Sequence, residues 1–350
     1  MLFDKNQSEF PSARHREIWW WALGLVPPDE SLTEDIRERL DKDQLEGCYQ
    51  WYLYFNDLCE DMYTNMDKYI NASARQYRDI LEYISLHGEL FGDSLIFDCG
   101  EWNKFILKMN SGKNYRLNSL KAEELIECLE RTGLRIGTNE RYITIKNIKY
   151  PKIFHSMKLM EISPKSRETP VREHFANCEY RQLFKRFSMN YSQLMRKASD
   201  EVMFIAQEMH DYLKSMKIYR NIHFGIIKYK YSGHRILDYT LHGSEYPSMR
   251  INIGTCVDFR DTGDIYFKLL NMTDKRTQSL FYKSLLNCDL CRPACEYDRI
   301  PVKINGKEIN VCGNIKLRIN PRMDDIPQLF ELISLRKDSI DEYLKKTHSN

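Results

Sequence analysis

Four of the ten cysteines lie close together near the end of the chain, and their spacing limits how that part can fold. Cys288, Cys291, Cys295 and Cys312 follow the pattern C-x2-C-x3-C-x16-C. Zinc binds four thiolates in a tetrahedron, and cysteines a few residues apart supply neighbouring corners of it. The spacing therefore predicts a structural zinc site that joins two separate pieces of the chain.

The dipeptide Asn305-Gly306 explains how the fourth cysteine reaches the other three. Asn-Gly is the strongest two-residue signal for a β-hairpin, because both turn positions require positive φ. Counting outward from this turn places Arg299 opposite Cys312. We therefore predict a hairpin that returns Cys312 to within four residues of Cys295.

Two other interpretations of the cysteine cluster remain open. The thiols could form a reversible disulfide, or they could hold an iron–sulfur cluster. A zinc ribbon usually contributes two C-x2-C pairs, whereas here the second pair is reduced to Cys312. A site closed by four sulfur atoms has no open coordination position, so we expect it to stabilise the fold rather than to catalyse a reaction.

The rest of the composition is typical of a cytoplasmic globular protein, with 42% hydrophobic and 29% charged residues among 350. No apolar stretch approaches the roughly 18–20 residues of a membrane span, and no secretory signal is recognisable. The other cysteines are scattered singly, unlike a secreted disulfide framework, and most are expected to be buried. They are Cys48, Cys59, Cys99, Cys128, Cys178 and Cys256. We therefore expect a cytoplasmic protein without a membrane partner.

Hydrophobic periodicity predicts an α+β fold with three regions. Residues 1–90 have helical spacing and form an N-terminal helical region. Residues 91–190 mix short strands with helices, which indicates a small central α/β region with a winged-helix-like pattern. In residues 191–350 the period changes to two, which indicates a C-terminal antiparallel sheet with flanking helices and the metal-stapled hairpin.

Several elements of the last region are predicted individually. A long helix is expected over 192–216, because apolar residues recur there with a period close to 3.6. A single strand is expected over 222–231, followed by a turn at Ser232-Gly233-His234 and a returning strand over 236–241. Two more strands are expected over 249–253 and 265–270.

The pattern of residues 118–148 predicts the closing part of a winged helix-turn-helix, namely a helix that ends at Gly133 as a left-handed C-cap, a short strand, a turn and a second strand. Four cations of this segment could approach the phosphates of a nucleic acid. They are Lys121, Arg131, Arg135 and Arg141. The helix itself carries four glutamates, which would repel a phosphate backbone. They are Glu123, Glu124, Glu127 and Glu130.

Charge is unevenly distributed along the chain, although the net charge is only +2. Residues 1–100 contain 9 Lys/Arg and 20 Asp/Glu, whereas residues 131–200 contain 15 Lys/Arg and 6 Asp/Glu. Three interpretations are open. An acidic region docks on a basic one, or the charges form ordinary solvated faces, or the basic region is a surface for an anionic partner.

Tyrosines and histidines of the C-terminal strands offer a further candidate, a ligand pocket with polar walls. The tyrosines are Tyr229, Tyr231, Tyr239, Tyr246 and Tyr266. A metal or acid–base site is conceivable where histidines approach an aspartate. Its residues would be His223, His234, His242 and Asp238. Ordinary half-buried sheet positions explain the tyrosines equally well. No catalytic motif surrounds His210 or Cys256.

Two stretches, residues 147–157 (NIKYPKIFHSM) and residues 288–313 around the cysteines, carry a resemblance to known sequences. They resemble a group of uncharacterised conserved proteins from Gram-positive anaerobic bacteria, over roughly residues 90–340. The resemblance implies a bacterial cytoplasmic protein. No activity comes with it, so it assigns no catalytic residue.

The leading hypothesis is a non-catalytic binding or regulatory protein with a structural zinc site and a surface for a ligand or protein partner on the C-terminal sheet. One alternative is a nucleic-acid-binding protein that uses the basic central region. Another is an enzyme with a Tyr- and His-lined pocket between the domains.

Overall fold

The computed structural model of the chain forms two compact units, Met1–Phe187 (unit 1) and Ser188–Asn350 (unit 2). The described residues are 3–69, 74–110, 122–162, 177–184, 190–223, 226–242, 248–254, 274–284, 299–304, 307–312 and 316–348. Helices and antiparallel sheets occur in both units, which confirms the predicted α+β class. Among these residues, no helix has both the length and the apolar character that a membrane span requires.

Helices make up most of unit 1. They are α1 (Ala13–Gly24), α2 (Pro28–Ser31), α3 (Glu34–Arg37), α4 (Lys42–Thr64), α5 (Ala74–His87), α6 (Cys99–Asn110), α7 (Ala122–Arg131) and α8 (Ile153–Ile162). Helix α1 begins after Ser12, whose hydroxyl accepts a hydrogen bond from the His15 amide. Helix α4 begins with a capping box, in which Asp41 and Gln44 each accept the other's backbone N–H. Polar caps therefore define where these helices start.

An antiparallel four-stranded sheet completes unit 1, with the strand order β1-β2-β4-β3. Its strands are β1 (Glu89–Phe91), β2 (Ser94–Asp98), β3 (Leu134–Thr138) and β4 (Tyr142–Asn147). Gly133 separates α7 from β3 with a φ of +99°, as predicted for a left-handed helix end. A Cβ at that position would lie 2.8 Å from the side-chain oxygen of Asn147, so both backbone angle and space require glycine.

One continuous core joins the helices and the sheet of unit 1. The inward side of the sheet presents Leu95, Phe97, Ile143 and Ile145, all of which are buried. Buried aromatic residues of α1, α4 and α8 belong to the same cluster; they include Trp19, Trp51, Phe55 and Phe154. Burial of such large side chains dominates the stability of a unit of this kind.

Unit 2 is built on a five-stranded antiparallel sheet with the order β11-β8-β7-β6-β5. Its strands are β5 (Arg220–His223), β6 (Ile226–Tyr231), β7 (His234–His242), β8 (Ser248–Gly254) and β11 (Lys316–Ile319), and β9 (Arg299–Ile304) and β10 (Lys307–Cys312) form a separate hairpin. Its described helices are α9 (Tyr191–Leu194), α10 (Asp200–Ser215), α11 (Lys275–Ser284) and α12 (Ile326–His348).

Two predicted elements of unit 2 were wrong in their extent. The helix expected over 192–216 is divided into α9, a 3-10 turn and α10, because Ser199 starts a new helix by accepting a hydrogen bond from the Val202 amide. The strand expected over 222–231 is two antiparallel strands, in which Ile222 lies opposite Ile227. The strand expected over 265–270 lies outside the described residues.

The turn predicted at Ser232-Gly233-His234 is confirmed at its first two residues, whereas His234 already belongs to β7. The strand predicted over 236–241 is confirmed as part of β7. Ser232 has a φ of 48° and Gly233 a φ of 83°, the conformation that a tight hairpin turn requires at both positions. Strand β8 covers the strand predicted over 249–253. Tight turns and alternation were therefore sufficient to predict the centre of this sheet.

Candidate functional site

The β9–β10 hairpin has the register that the Asn305-Gly306 dipeptide predicts from the sequence. Ile304 lies opposite Lys307, and Arg299 lies opposite Cys312. Helix α11 ends at Ser284, and β9 begins at Arg299, so both ends of the cysteine segment join described elements. Cys288, Cys291 and Cys295 lie outside the described residues, as does the side chain of Cys312. The four-cysteine metal site therefore stays a prediction.

Three of the six single cysteines are buried, as expected for apolar fillers: Cys48, Cys59 and Cys178. Burial raises the pKa of the Cys48 and Cys59 thiols, so both stay protonated at neutral pH. Cys99 is half-buried, and its thiol donates a weak hydrogen bond to the Asn139 carbonyl. Cys256 lies outside the described residues.

A dense group of charged side chains lies where α8 packs against α4 and the β1–β2 turn; we call it the clamp. The Lys152 ammonium is 3.0 Å from Asp43 and 2.9 Å from Asp93. Nε2 of His155 is 3.0 Å from the same oxygen of Asp93. Hydrogen bonds from Lys152 and His155 lower the pKa of Asp93, and those with Asp93 and Asp43 raise the pKa of Lys152.

The clamp contains a possible set of cation ligands. One ligand atom from each of Asp43, Asp93 and His155 lies within 4.8 Å of the others. The ammonium of Lys152 already supplies a positive charge between the two carboxylates, however. This geometry is that of an ion-pair network that holds α8 in place.

The stretch 147–157 is the segment that forms this contact. The buried side-chain oxygen of Asn147 accepts hydrogen bonds from the Lys149 and Tyr150 amides and so shapes the turn before α8. Lys149 and the Tyr150 hydroxyl both contact Asp57 of α4. Gly47 of α4 allows the close approach, because a Cβ there would overlap the Lys152 carbonyl. The residues of this stretch thus have packing roles.

The uneven charge distribution is explained in part by these contacts. Arg131 pairs with Asp61 at 3.2 Å, and Lys149 and Lys152 pair with other aspartates of the acidic first hundred residues. Lys158 donates hydrogen bonds to the carbonyls of Ser85 and Gly88 at the end of α5. These contacts support the docking interpretation for this subset of the basic residues.

The elements from α5 to β4 have the connectivity of a winged helix-turn-helix. Helix α5 precedes the β1–β2 hairpin, α6 and α7 follow, and β3 and β4 close the segment as its wing. Strand β4 pairs with β2 on one side and with β3 on the other, so the β1–β2 and β3–β4 hairpins form one sheet. Residues 111–121, which lie between α6 and α7 in the chain, are outside the described residues.

The outward side of this sheet is largely exposed; we call it the open face. Register places Arg135 opposite Lys146, Lys146 opposite Ser94, and Ser94 opposite Phe91, in one row across all four strands. Tyr142 lies on the same side of the sheet as Lys146 and precedes it by four residues on β4. Phe91 is 74% exposed and Tyr142 49% exposed, which is unusual for large aromatic residues in strands.

Helix α7 has the opposite charge. Glu123, Glu127 and Glu130 recur at the spacing of one helical face. Glu127 is exposed and Glu130 is half-buried. Of the cations near this helix, Arg131 is paired with Asp61, whereas Arg135 donates from Nη1 to the uncharged carbonyls of Glu130 and Leu134 and keeps its positive charge exposed.

Two of the tyrosines predicted to line a pocket in unit 2 instead belong to its hydrophobic core. Tyr229 and Tyr239 are fully buried, and their rings stack with centroids 6.4 Å apart. Desolvation raises the pKa of Tyr229 to about 12 and raises that of Tyr239 further. The Tyr229 hydroxyl is 3.1 Å from Nδ1 of His210, whose pKa is lowered, chiefly by burial. Tyr246 and Tyr266 lie outside the described residues.

The structure does not bring the candidate histidines together with Asp238 where it describes their side chains. Asp238 is buried and accepts hydrogen bonds from Arg235 and Asn252. His234 instead contacts the ring of Tyr343 edge-on. The side chains of His223 and His242 are outside the described part of the structure.

Unit 2 has a surface groove of about 630 Å³ between α11 and the turn that precedes α12. Its α11 side carries Arg276 and Lys283, and its other side carries Asp324 and Asp325. No tyrosine or histidine of the described residues lines it. This groove is therefore not the Tyr- and His-lined pocket that the sequence suggested.

Comparison of the chain with protein-family models, with curated proteins and with solved structures finds no match in any of the three. Function must therefore be inferred from the geometry and charge of the described residues. The wing and the open face combine cations with exposed aromatic rings, whereas the clamp and the buried tyrosines have structural partners.

Proposed function

We propose that the protein is a non-catalytic nucleic-acid-binding protein and that the wing of unit 1 carries its contact surface. The supporting observation is the exposure of Arg135, Arg141 and Lys146 on a hairpin that closes a winged helix-turn-helix connectivity. Connectivity alone does not assign a function. The charge does support it, because Glu140 is the only acidic residue between Leu134 and Asn147.

The wing is the part of the basic central region that keeps its charge toward solvent. Arg131, Lys149 and Lys152 are neutralised by aspartates, so they add little to an anion-binding surface. Glutamates along α7 would be repelled by phosphates if that helix entered a major groove. We therefore propose contact through the wing and the sheet, without insertion of α7.

Fluorescence anisotropy with labelled oligonucleotides tests this proposal. Changing Arg141→Ala and Lys146→Ala together should weaken binding and lower the salt-dependence slope by about one for each lost phosphate contact. The double change Lys345→Ala and Lys346→Ala at the end of α12 removes equal charge from unit 2 and serves as the control. An equal loss in both double variants, or no binding by the unaltered protein, would overturn the proposal.

A structural zinc site in unit 2 is a second proposal, which concerns stability rather than partner binding. The ladder supports it, since it places Cys312 opposite Arg299, which follows Cys295 by four residues in the sequence. We propose Cys288, Cys291, Cys295 and Cys312 as the ligands. Reduced thiols in the cytoplasm, where we propose that the protein acts, would suit this site.

A further inference from the structure

We infer that the open face binds single-stranded nucleic acid, with Phe91 and Tyr142 as stacking platforms for bases and Lys146 and Arg135 as contacts for phosphates. This inference rests on the proposed function and specifies its ligand. It follows from three properties of the face, which are its register, its exposed rings and its charge.

The register aligns cations and a ring along one line. Arg135, Lys146, Ser94 and Phe91 occupy neighbouring strands, which lie about 4.8 Å apart, so the row extends for about 14 Å. A strand of nucleic acid laid along this row would place phosphates near β3 and β4 and a base near Phe91. A hydroxyl, that of Ser94, lies between the two groups as a hydrogen-bonding partner.

The exposed rings offer flat apolar surfaces to a partner. Phe91 and Tyr142 lie on the side of the sheet opposite Leu95 and Ile143, which are buried in the core. Rings that remain in water do not contribute the favourable free energy of burial that the buried aromatic residues of this unit contribute. Unpaired bases stack on such rings, whereas the bases of a duplex are already stacked on one another.

Most of the nearby negative charge is engaged within the protein. Asp93 is held by Lys152 and His155. Asp98 accepts hydrogen bonds from the Gly100 and Glu101 amides at the start of α6. Glu89 lies on the same side of the sheet as Phe91, two residues before it on β1, which is the strand farthest from Arg135. The row of Arg135 and Lys146 therefore presents a locally positive surface to phosphates.

Binding of labelled oligonucleotides of about 15 nucleotides tests the inference, with thymidine and uridine homopolymers compared with a duplex of the same length. We expect both single strands to bind more tightly than the duplex, and Phe91→Ala and Tyr142→Ala each to weaken single-strand binding by about 5-fold or more. Phe91→Trp should retain binding, because it keeps a stacking surface. Leu107→Ala, which changes a 69% exposed apolar residue of α6, is the matched control and should have no effect.

The possible failures are distinguishable. Equal affinity for duplex and single strands, with no effect of Phe91→Ala, would overturn this inference and leave the proposed function standing. Absence of binding to every oligonucleotide at about 50 mM salt would overturn both. A preference for the uridine or the thymidine strand would identify RNA or DNA as the source of the ligand, and either result supports the inference.

Discussion

Cys312 lies directly opposite Arg299 in the antiparallel ladder of the β9–β10 hairpin. The pair is the geometric condition for a four-cysteine site, because it places the last cysteine beside the strand that follows the first three. Changing Cys312→Ser should therefore lower the zinc content from about one per chain and destabilise unit 2 by several kcal/mol, since structural zinc contributes on the order of 10 kcal/mol in small domains.

Elemental analysis and thermal unfolding check this prediction. Cys99→Ser is the control, because Cys99 lies in unit 1 and makes only a weak hydrogen bond. Fully folded protein without metal, or a Cys312→Ser variant with the unfolding curve of the unaltered protein, would contradict the site. Absorption in the visible range would instead identify an iron–sulfur cluster.

Gly47→Ala should destabilise unit 1 by about 1–3 kcal/mol, because a Cβ would overlap the Lys152 carbonyl and lie 3.0 Å from the Ser156 amide nitrogen. Alanine is the better helix former by about 1 kcal/mol, so propensity alone predicts the opposite sign. Gly137→Ala is the control, since its Cβ would meet nothing closer than 3.9 Å. Denaturant unfolding distinguishes the two, and a stabilised Gly47→Ala variant would show that α4 and α8 are not packed this closely.

Lys152→Met should lower the unfolding midpoint and raise the pKa of Asp93, because the hydrogen bond from Lys152 is the largest cause of its lowered pKa. A carboxyl whose pKa is lowered on folding stabilises the protein above its unfolded value of 3.8, and this contribution is lost as the pH falls through the folded pKa. The stability of the variant should therefore depend less on pH below about 3.8 than that of the unaltered protein.

Carboxyl titration by nuclear magnetic resonance measures the pKa directly, and acid unfolding measures its consequence. Lys104→Met, which removes an exposed partner of Glu101 on α6, is the matched control. If both lysine variants left the Asp93 titration unchanged, the clamp would not exist in solution.

His210→Asn should reduce the loss of stability on acidification from about pH 7 to pH 5. Burial is the main cause of the lowered pKa of His210, so the folded state disfavours its protonation. The contribution of the neutral His210 to stability is therefore fully present above its unfolded pKa of 6.5. It is lost as the pH falls through the folded pKa.

Unfolding midpoints of the two proteins at both pH values check this prediction. The pKa of His15 is also lowered by burial, so the variant should remove only part of the pH dependence, and His15→Asn provides the comparison. An identical pH dependence in the His210→Asn variant and the unaltered protein would contradict the buried contact with Tyr229.

Local features of the fold were predictable from the sequence because they depend on neighbouring residues. Gly133 was recognisable as a helix end, Ser232-Gly233 as a turn, and Asn305-Gly306 as a hairpin whose register follows by counting. Backbone preferences and side-chain caps operate over a few residues, so the pattern contains the necessary information. The break at Ser199 also depends on neighbouring residues, because Ser-Asp-Glu is a typical helix start. It was not predicted, because the apolar residues keep their helical period across it.

The candidate site shows the limit of such reasoning. Arg131, Lys149 and Lys146 are all basic residues of one short segment, and sequence spacing does not separate them. The tertiary structure does, because it places Asp61 and Asp57 beside the first two and leaves Lys146 on the outward side of a sheet. The exposure of Phe91 could not be predicted from the sequence either. Strand alternation indicates which side of the sheet Phe91 occupies, but it does not indicate whether another element covers that side.

The amino-acid sequence by itself determined the class of the fold, the positions of many turns and caps, and the hairpin register that carries Cys312 to Arg299. Only the tertiary structure decided which charges are neutralised and which aromatic rings remain in solvent. The physical reason is range: turns and caps form between residues close in the chain, whereas ion pairing and burial depend on distances between residues that are brought together only when the whole unit folds.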